Sequence, residues 1–319
     1  MSCGLPTIRG YRKRVGPELP LLKSVALLLE DAQHRNNSFS WVGEDKLRRR
    51  GWDVEGWTAS KESAAALSAK PYPICPVDIS KCDRVAERPG IFDAVIHCAS
   101  TRGGEVGSYR QIYLNGARHL LDRFAETKVL LTSSTSVYAQ RDGSWVTEES
   151  ETNPARATGQ VLLETEKLVL ERRGTVVRLA GIYGPGRSTL LSKFLAGTAT
   201  IDQENDRFVN QAHRDDIASA IFFLLTRETE QTQIYNVVDD QPVLQSECYR
   251  WLAQRLDRPL PPIGKSTGQR KRGNSNKRVS NAKLRSLGWP LQYPTLADAM
   301  EKSILRSMPV LDVRLSSKT

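Results

Sequence analysis

Between Val129 and Gly186 the chain sets hydroxyl groups and glycines where two strands would end. The run Thr132-Ser133-Ser134-Thr135-Ser136-Val137-Tyr138 follows the apolar Val129-Leu130-Leu131, and Gly184-Pro185-Gly186 follows Val176 to Tyr183. Hydroxyls at a strand exit bond either a ligand or the backbone beside them, and a Gly-Pro-Gly turn has a fixed shape. In an open α/β sheet both exits face the crevice in which ligands sit. The chemistry on offer is that of holding a polar small molecule. Metal chemistry fits less well. His213 stands beside Asp215 and Asp216, but no third ligand is placed, and either aspartate reads as the cap of a helix from Ile217 to Leu225. The five cysteines, Cys3, Cys75, Cys82, Cys98 and Cys248, form no Cys-x-x-Cys pair. Neither a zinc site nor a disulfide framework is expected, and a reducing compartment is.

The elements that must position these groups follow from apolar runs and their punctuation. Ser24 to Leu29 predicts a first buried strand and Trp52 to Trp57 a second, with Lys46 to Arg50 ending a helix at Gly51. Ile74 to Asp78 and Phe92 to Ala99 predict two more strands, and a helix with Tyr113, Gly116, Leu120 and Leu121 on one side follows them. Gly159 to Glu171 predicts a long helix between the two polar exits, with Leu162, Leu163, Glu166 and Leu170 at helical spacing. A late strand over Ile234 to Asp240, an amphipathic helix over Gln245 to Leu256 and a helix over Ala282 to Leu287 complete the pattern.

A strand–helix–strand unit of this kind holds a dinucleotide's pyrophosphate on a G-x-G-x-x-G turn after its first strand. Here the connection, residues 30–43, has Gly43 alone, and Glu30 and Asp31 put negative charge where a phosphate would lie. At the end of the second strand, Ser60 and Lys61 stand in place of an acid, which leans to NADP over NAD; Ser60 also reads as a helix cap. Asp78 is placed to meet an adenine edge. The exit Ala99-Ser100-Thr101 is small enough to pass beneath a dinucleotide, while His97 and Cys98 read as core residues.

Five segments in order, Val95–Ser100, Leu130–Ala139, Arg178–Arg187, Asn210–Ala218 and Tyr235–Asp240, resemble the extended short-chain dehydrogenase/reductase superfamily. More narrowly they resemble the NAD-dependent epimerase/dehydratase-like proteins of its atypical branch. The resemblance runs from about Ser24 to Pro294. It implies an α/β fold, a Rossmann-type doubly wound parallel sheet with a small C-terminal α/β substrate lobe. It also implies an NAD(P)-dependent oxidoreductase or epimerase/dehydratase-like enzyme acting on a small hydroxylated substrate that carries a sugar or a phosphate. In that family a hydroxyl four residues before a Tyr bonds the substrate oxygen, which maps to Ser134 before Tyr138. The family's acid/base Tyr and its Lys map to Thr158 and Leu162, so the standard mechanism does not carry over, and Tyr138 and Tyr183 are the alternative acids. Thr158 stays in the catalytic set with Ser134 and Tyr138. The cofactor set is Gly43, Ser60, Asp78, Cys98, Ala99, Ser100, Ser133, Arg178, Gly181 and Tyr183. The substrate set is Arg187, Asn210, Lys277 and Arg278, the last two facing an anionic group. The missing Tyr, Lys and glycine turn favour a rival reading, a non-catalytic dinucleotide sensor or scaffold.

Charge bounds the partners. Of the net +10, residues 1–23 hold +4 and residues 258–297, with nine basic residues and no acid, hold +9, so the remainder is −3. Basicity this local, without interleaved aromatics, argues against a nucleic-acid-binding body. No run of about 18 apolar residues is present, which argues against a membrane span. The expected organisation is an arm at 1–22, disordered or targeting; a dinucleotide-binding domain at 23–187 plus 207–240; a lobe at 188–206 and 241–300; and a tail at 301–319. The expected setting is cytoplasmic, or an organelle matrix if the arm is a transit peptide. Proteins of the family it resembles often dimerise through helices equivalent to 105–126 and 158–172, and here those helices carry no pattern that decides for or against a homodimer.

Overall fold

In the computed structural model, which describes residues 23–28, 47–101, 104–227, 232–265 and 275–308, seven strands pair as one sheet. They are β1 (Ser24–Leu28), β2 (Asp53–Thr58), β3 (Ile74–Pro76), β4 (Ala94–His97), β5 (Lys128–Ser134), β6 (Thr175–Leu179) and β7 (Ile234–Val237). The order across the sheet is β7-β6-β5-β4-β1-β2-β3, and every pairing is parallel. Gly43 and the whole 30–43 connection, the 1–22 arm and residues 309–319 lie outside the described residues.

The strands are mainly apolar along their middles because both faces of the sheet are covered. Alternation still operates inside that cover. Val25 and Leu27 feed one core and Ala26 and Leu28 the other, as do Leu130 against Val129 and Leu131. The covering helices are α1 (Lys61–Ala66), α2 (Cys82–Ala86), α3, α4 (Ala157–Glu171) and α6 (Arg214–Thr226). Helix α3 runs continuously through Val106–Tyr109, a wide π-type turn at Arg110–Asn115, and Gly116–Arg123. Such a turn leaves a carbonyl outside the regular ladder, and His97 Nε2 lies 3.1 Å from the Ile112 carbonyl. Burial lowers the pKa of His97 to about 4. The ring is therefore neutral, donates from Nε2, and serves the fold, as its core assignment predicted. Gly116 allows close approach where α3 meets the chain after β3: a Cβ there would lie 2.7 Å from Ile79 Cδ1, and that side-chain end would have to shift.

A third core gathers Tyr183, Leu191, Phe194, Cys248, Tyr249, Leu252, Leu296 and Met300. It joins α5 (Thr189–Leu195) to α7 (Gln245–Leu256); α7 keeps its predicted bounds, with Cys248 and Leu252 buried and Trp251 and Leu256 packed beside them. Helix α6 begins earlier than predicted, and its cap is neither aspartate. His213 Nδ1 accepts from the Asp215 N–H at 3.2 Å, while Asp216 turns inward to accept from Gln292 and Tyr293 N–H at 2.7 and 3.0 Å. No helix among the described residues is long and apolar enough to cross a membrane.

Candidate active site

Strand order reverses between β1 and β4, and in open α/β sheets ligands bind outside the carboxyl ends of the strands at such a reversal. β1 reaches that edge at Leu28. β4 leaves it through buried Cys98 and half-buried Ala99 and Ser100. The Cys98 thiol donates to the Leu28 carbonyl at 2.6 Å, tying the two exits together, so its side chain is a brace at this edge. At the end of β2, Ser60 Oγ accepts from the Ser63 N–H at 3.1 Å and caps α1. Asp78 Oδ1 accepts from Ser80 N–H and Oγ at 2.9 and 2.7 Å. Both side chains have local duties of the kind their types favour at turns.

The two serines at the end of β5 part company because successive strand residues point to opposite faces. Ser133 is buried, and its hydroxyl donates to Glu166 Oε1 at 2.5 Å. Ser134 is half-buried; its Oγ accepts from the Ser136 N–H at 3.2 Å, closing the 3₁₀ turn Thr135–Val137. An oxygen so used keeps its own hydrogen to donate. Of the two, Ser134 is the one that a ligand above the strand can reach.

Beneath this exit lies a buried polar network. Arg178 Nη2 and Nε contact the Glu166 carboxylate at 2.7 and 3.2 Å, and Nη1 donates to the Tyr138 hydroxyl at 2.8 Å. That hydroxyl donates in turn to Asn236 Oδ1 at 2.9 Å. The edge N–H of Asn236 is taken by Glu148 Oε1 at 2.7 Å, and burial raises the Glu148 pKa. Arg178 and Tyr138 are 3% and 1% exposed. Desolvation raises the Tyr138 pKa although the Arg178 cation opposes it. Both side chains, expected in catalysis and in cofactor binding, are shut away from solvent and committed to each other. The sequence reading missed Glu166, Asn236 and Glu148 as members. A carboxylate on the inward stripe of α4 was the available signal, since a buried charge demands a partner.

Tyr183 is shut away as well. It is 1% exposed in the third core, edge-on to His213 at 5.6 Å between ring centroids. Burial and the nearby Asp239 and Asp216 push its pKa well up, the wrong direction for a phenol that must exchange a proton near neutral pH. Gly181, half-buried, donates its N–H to the Asn210 carbonyl. The Asn210 side chain spans the Lys277 carbonyl and the Val279 N–H at 2.9 and 2.7 Å. Arg278 lies over the Trp145 and Phe208 rings at 5.2 and 5.0 Å and donates from Nε to the Gly143 carbonyl at 2.8 Å. Lys277 is 5% exposed; its ammonium donates to the Tyr138 carbonyl at 2.9 Å, and desolvation lowers its pKa to about 8. In place of an open anion-binding pair, the Asn210–Lys277–Arg278 group clamps the segment after β5 to a two-residue parallel pairing of Trp145–Val146 with Arg278–Val279. Arg187 is half-buried in the loop between Gly184 and α5, its N–H on the Gly184 carbonyl.

Thr158 is the second residue of α4 and half-buried, and Leu162, one turn on, is 5% exposed in the core. Among the described residues no group of three or more His, Cys, Asp or Glu is arranged to hold a metal ion.

A family model described as the NAD dependent epimerase/dehydratase family matches residues 44–237. No curated protein matches the chain. Among solved structures, a Methylobacillus flagellatus protein described as an NAD-dependent epimerase/dehydratase is 25% identical, with a TM-score of 0.68 over 90% of this chain and 99% of its own. The dTDP-glucose 4,6-dehydratase of Bacillus anthracis in complex with NAD is 13% identical, with a TM-score of 0.70 over 89% and 96%. The UDP-glucose 4-epimerase of Thermus thermophilus in complex with NAD is 15% identical, with a TM-score of 0.69 over 89% and 98%.

Proposed function

The chain belongs to the NAD dependent epimerase/dehydratase family, and from that premise we propose that it binds a nicotinamide dinucleotide across the β1/β4 switch point and oxidises, epimerises or dehydrates a small hydroxylated substrate. The residues there fit such a cofactor. β4 leaves the sheet through the small, half-buried Ala99 and Ser100, and Ser60 and Lys61, not an acid, follow the β2 exit. The latter pair leans to NADP. Once bound, the nicotinamide supplies or accepts the hydride. The observation that carries the reading is the half-buried Ser134 at the exit of β5, standing over a network rigid enough to fix it. Its hydroxyl holds the substrate oxygen, Thr158 borders that oxygen from the start of α4, and Arg187 meets the distal, sugar- or phosphate-bearing end.

A second reading, a dinucleotide sensor or scaffold, is favoured by one observation. Leu162 fills the core where the family's mechanism needs an ammonium, and no buried tyrosine named above has a lowered pKa. A screen of sugar and sugar-phosphate alcohols with NAD⁺ and NADP⁺, read by nicotinamide absorbance, separates the two. The enzyme reading expects turnover that falls on the order of a hundredfold in Ser134→Ala with cofactor affinity unchanged. Cofactor binding without turnover on any alcohol leaves the sensor.

A further inference from the structure

Residues 258–264, Arg-Pro-Leu-Pro-Pro-Ile-Gly, belong to no helix or strand beyond a single bridge at Ile263. Three prolines lock φ near −65°, and the residue before each proline is pushed out of the helical region. Arg258 through Pro262 therefore has no helical option. Three of those five residues also lack the N–H that a strand ladder needs. The conformation these constraints favour is the left-handed polyproline helix, with three residues per turn.

Exposure along the segment repeats with that period. Arg258, Pro261 and Gly264 are half-buried, whereas Pro259, Leu260, Pro262 and Ile263 are exposed. One edge thus rests on the protein and two ridges, Pro259/Pro262 and Leu260/Ile263, face solvent. The inner edge is fastened. Asp257 turns the chain out of α7 with φ 49°, and the Arg258 N–H returns to the Ala253 carbonyl at 3.0 Å. The Ile201 N–H donates to the Pro262 carbonyl, and the Gly264 N–H to the Ile201 carbonyl, both at 3.0 Å.

Leu260 and Ile263 are 54% and 70% exposed, two of the few large apolar side chains so placed among the described residues. A connector needing only solubility would be polar here. A held segment of this kind pays little ordering entropy when a partner closes over it. The segment also begins the 258–297 stretch, which carries +9 and no acid.

We propose that Arg258–Gly264 is a preformed polyproline ligand, presented by the lobe to a partner protein whose recognition domain has an aromatic-lined groove with an acidic rim. Domains of that kind read paired proline and aliphatic ridges on an extended backbone. The segment shares no residue with the β1/β4 edge.

The test titrates the full chain against a purified panel of SH3, WW and EVH1 domains, beside a Leu260→Glu/Ile263→Glu variant. Both side chains are exposed, so the variant should keep the wild-type thermal midpoint. The proposal expects saturable binding of at least one domain at a Kd on the order of micromolar. It expects binding to weaken roughly tenfold or more in the variant, and a peptide spanning 256–265 to compete. No binding across the panel, or equal binding by the variant, overturns it. So does wild-type self-association that the variant loses, because the ridges would then serve a second copy of the chain.

Discussion

The Glu166–Arg178 pair is the residue-scale feature on which the site rests. Its two side chains are 3% and 4% exposed, and Ser133 and Tyr138 complete the contacts. Removing one member of such a pair strands the other's charge, which costs about 3–5 kcal/mol. Glu166→Ala should lose that much stability in chemical denaturation, and Glu166→Ala/Arg178→Met should recover part of it; equal losses would deny the coupling. Lys277 gives a pH prediction. Its folded pKa is about 8 against an ordinary 10.5. Between those values the unfolded chain binds a proton that the native state has released, so this group's contribution to stability rises with pH across the window. The span is on the order of 3 kcal/mol. Wild type should gain on Lys277→Met from about pH 8 to about 10.5, and parallel curves would contradict the burial of this ammonium. The residue scale is also where the sequence was hardest to read. Hydroxyl-rich composition singled out the β5 exit, but only strand register shows that Ser133 faces Glu166 while Ser134 does not. That Tyr138 lies under its own loop depends on Asn236, 98 residues away.

At the scale of elements, apolar runs were a good guide to which segments pair and a poorer one to where they stop. β3 ends at Pro76 and β4 at His97, short of the predicted Asp78 and Ala99, because apolar character continues past the last paired residue into the buried exits Val77 and Cys98. Helix α4 starts two residues before the predicted Gly159, and that glycine has a packing role. A Cβ there would lie 2.5 Å from Pro154 Cβ, and a proline ring cannot swing aside. Gly159→Ala should therefore cost roughly 1–3 kcal/mol by overpacking, measured as a fall in the denaturation midpoint. A neutral or stabilising result, as helix propensity alone would give, would show that the 147–156 loop yields.

For the molecule as a whole, the order of motifs was enough for the parallel sheet and its family, because four of the five motifs sit at strand exits of that sheet and the fifth, Asn210–Ala218, at a short strand paired beside it. The acid/base was not legible, since Thr158 and Leu162 occupy the positions that would identify it, and Tyr138 and Tyr183 are buried in the polar network and the third core. The proposed function requires the β1/β4 edge to hold a dinucleotide without the usual glycine turn. Direct titration of the purified protein with NADH and with NADPH, read by nicotinamide fluorescence and thermal shift, tests it first. Saturable binding on the order of micromolar, tighter for NADPH, is the expected result. Well-folded protein that binds neither at millimolar concentration would contradict it.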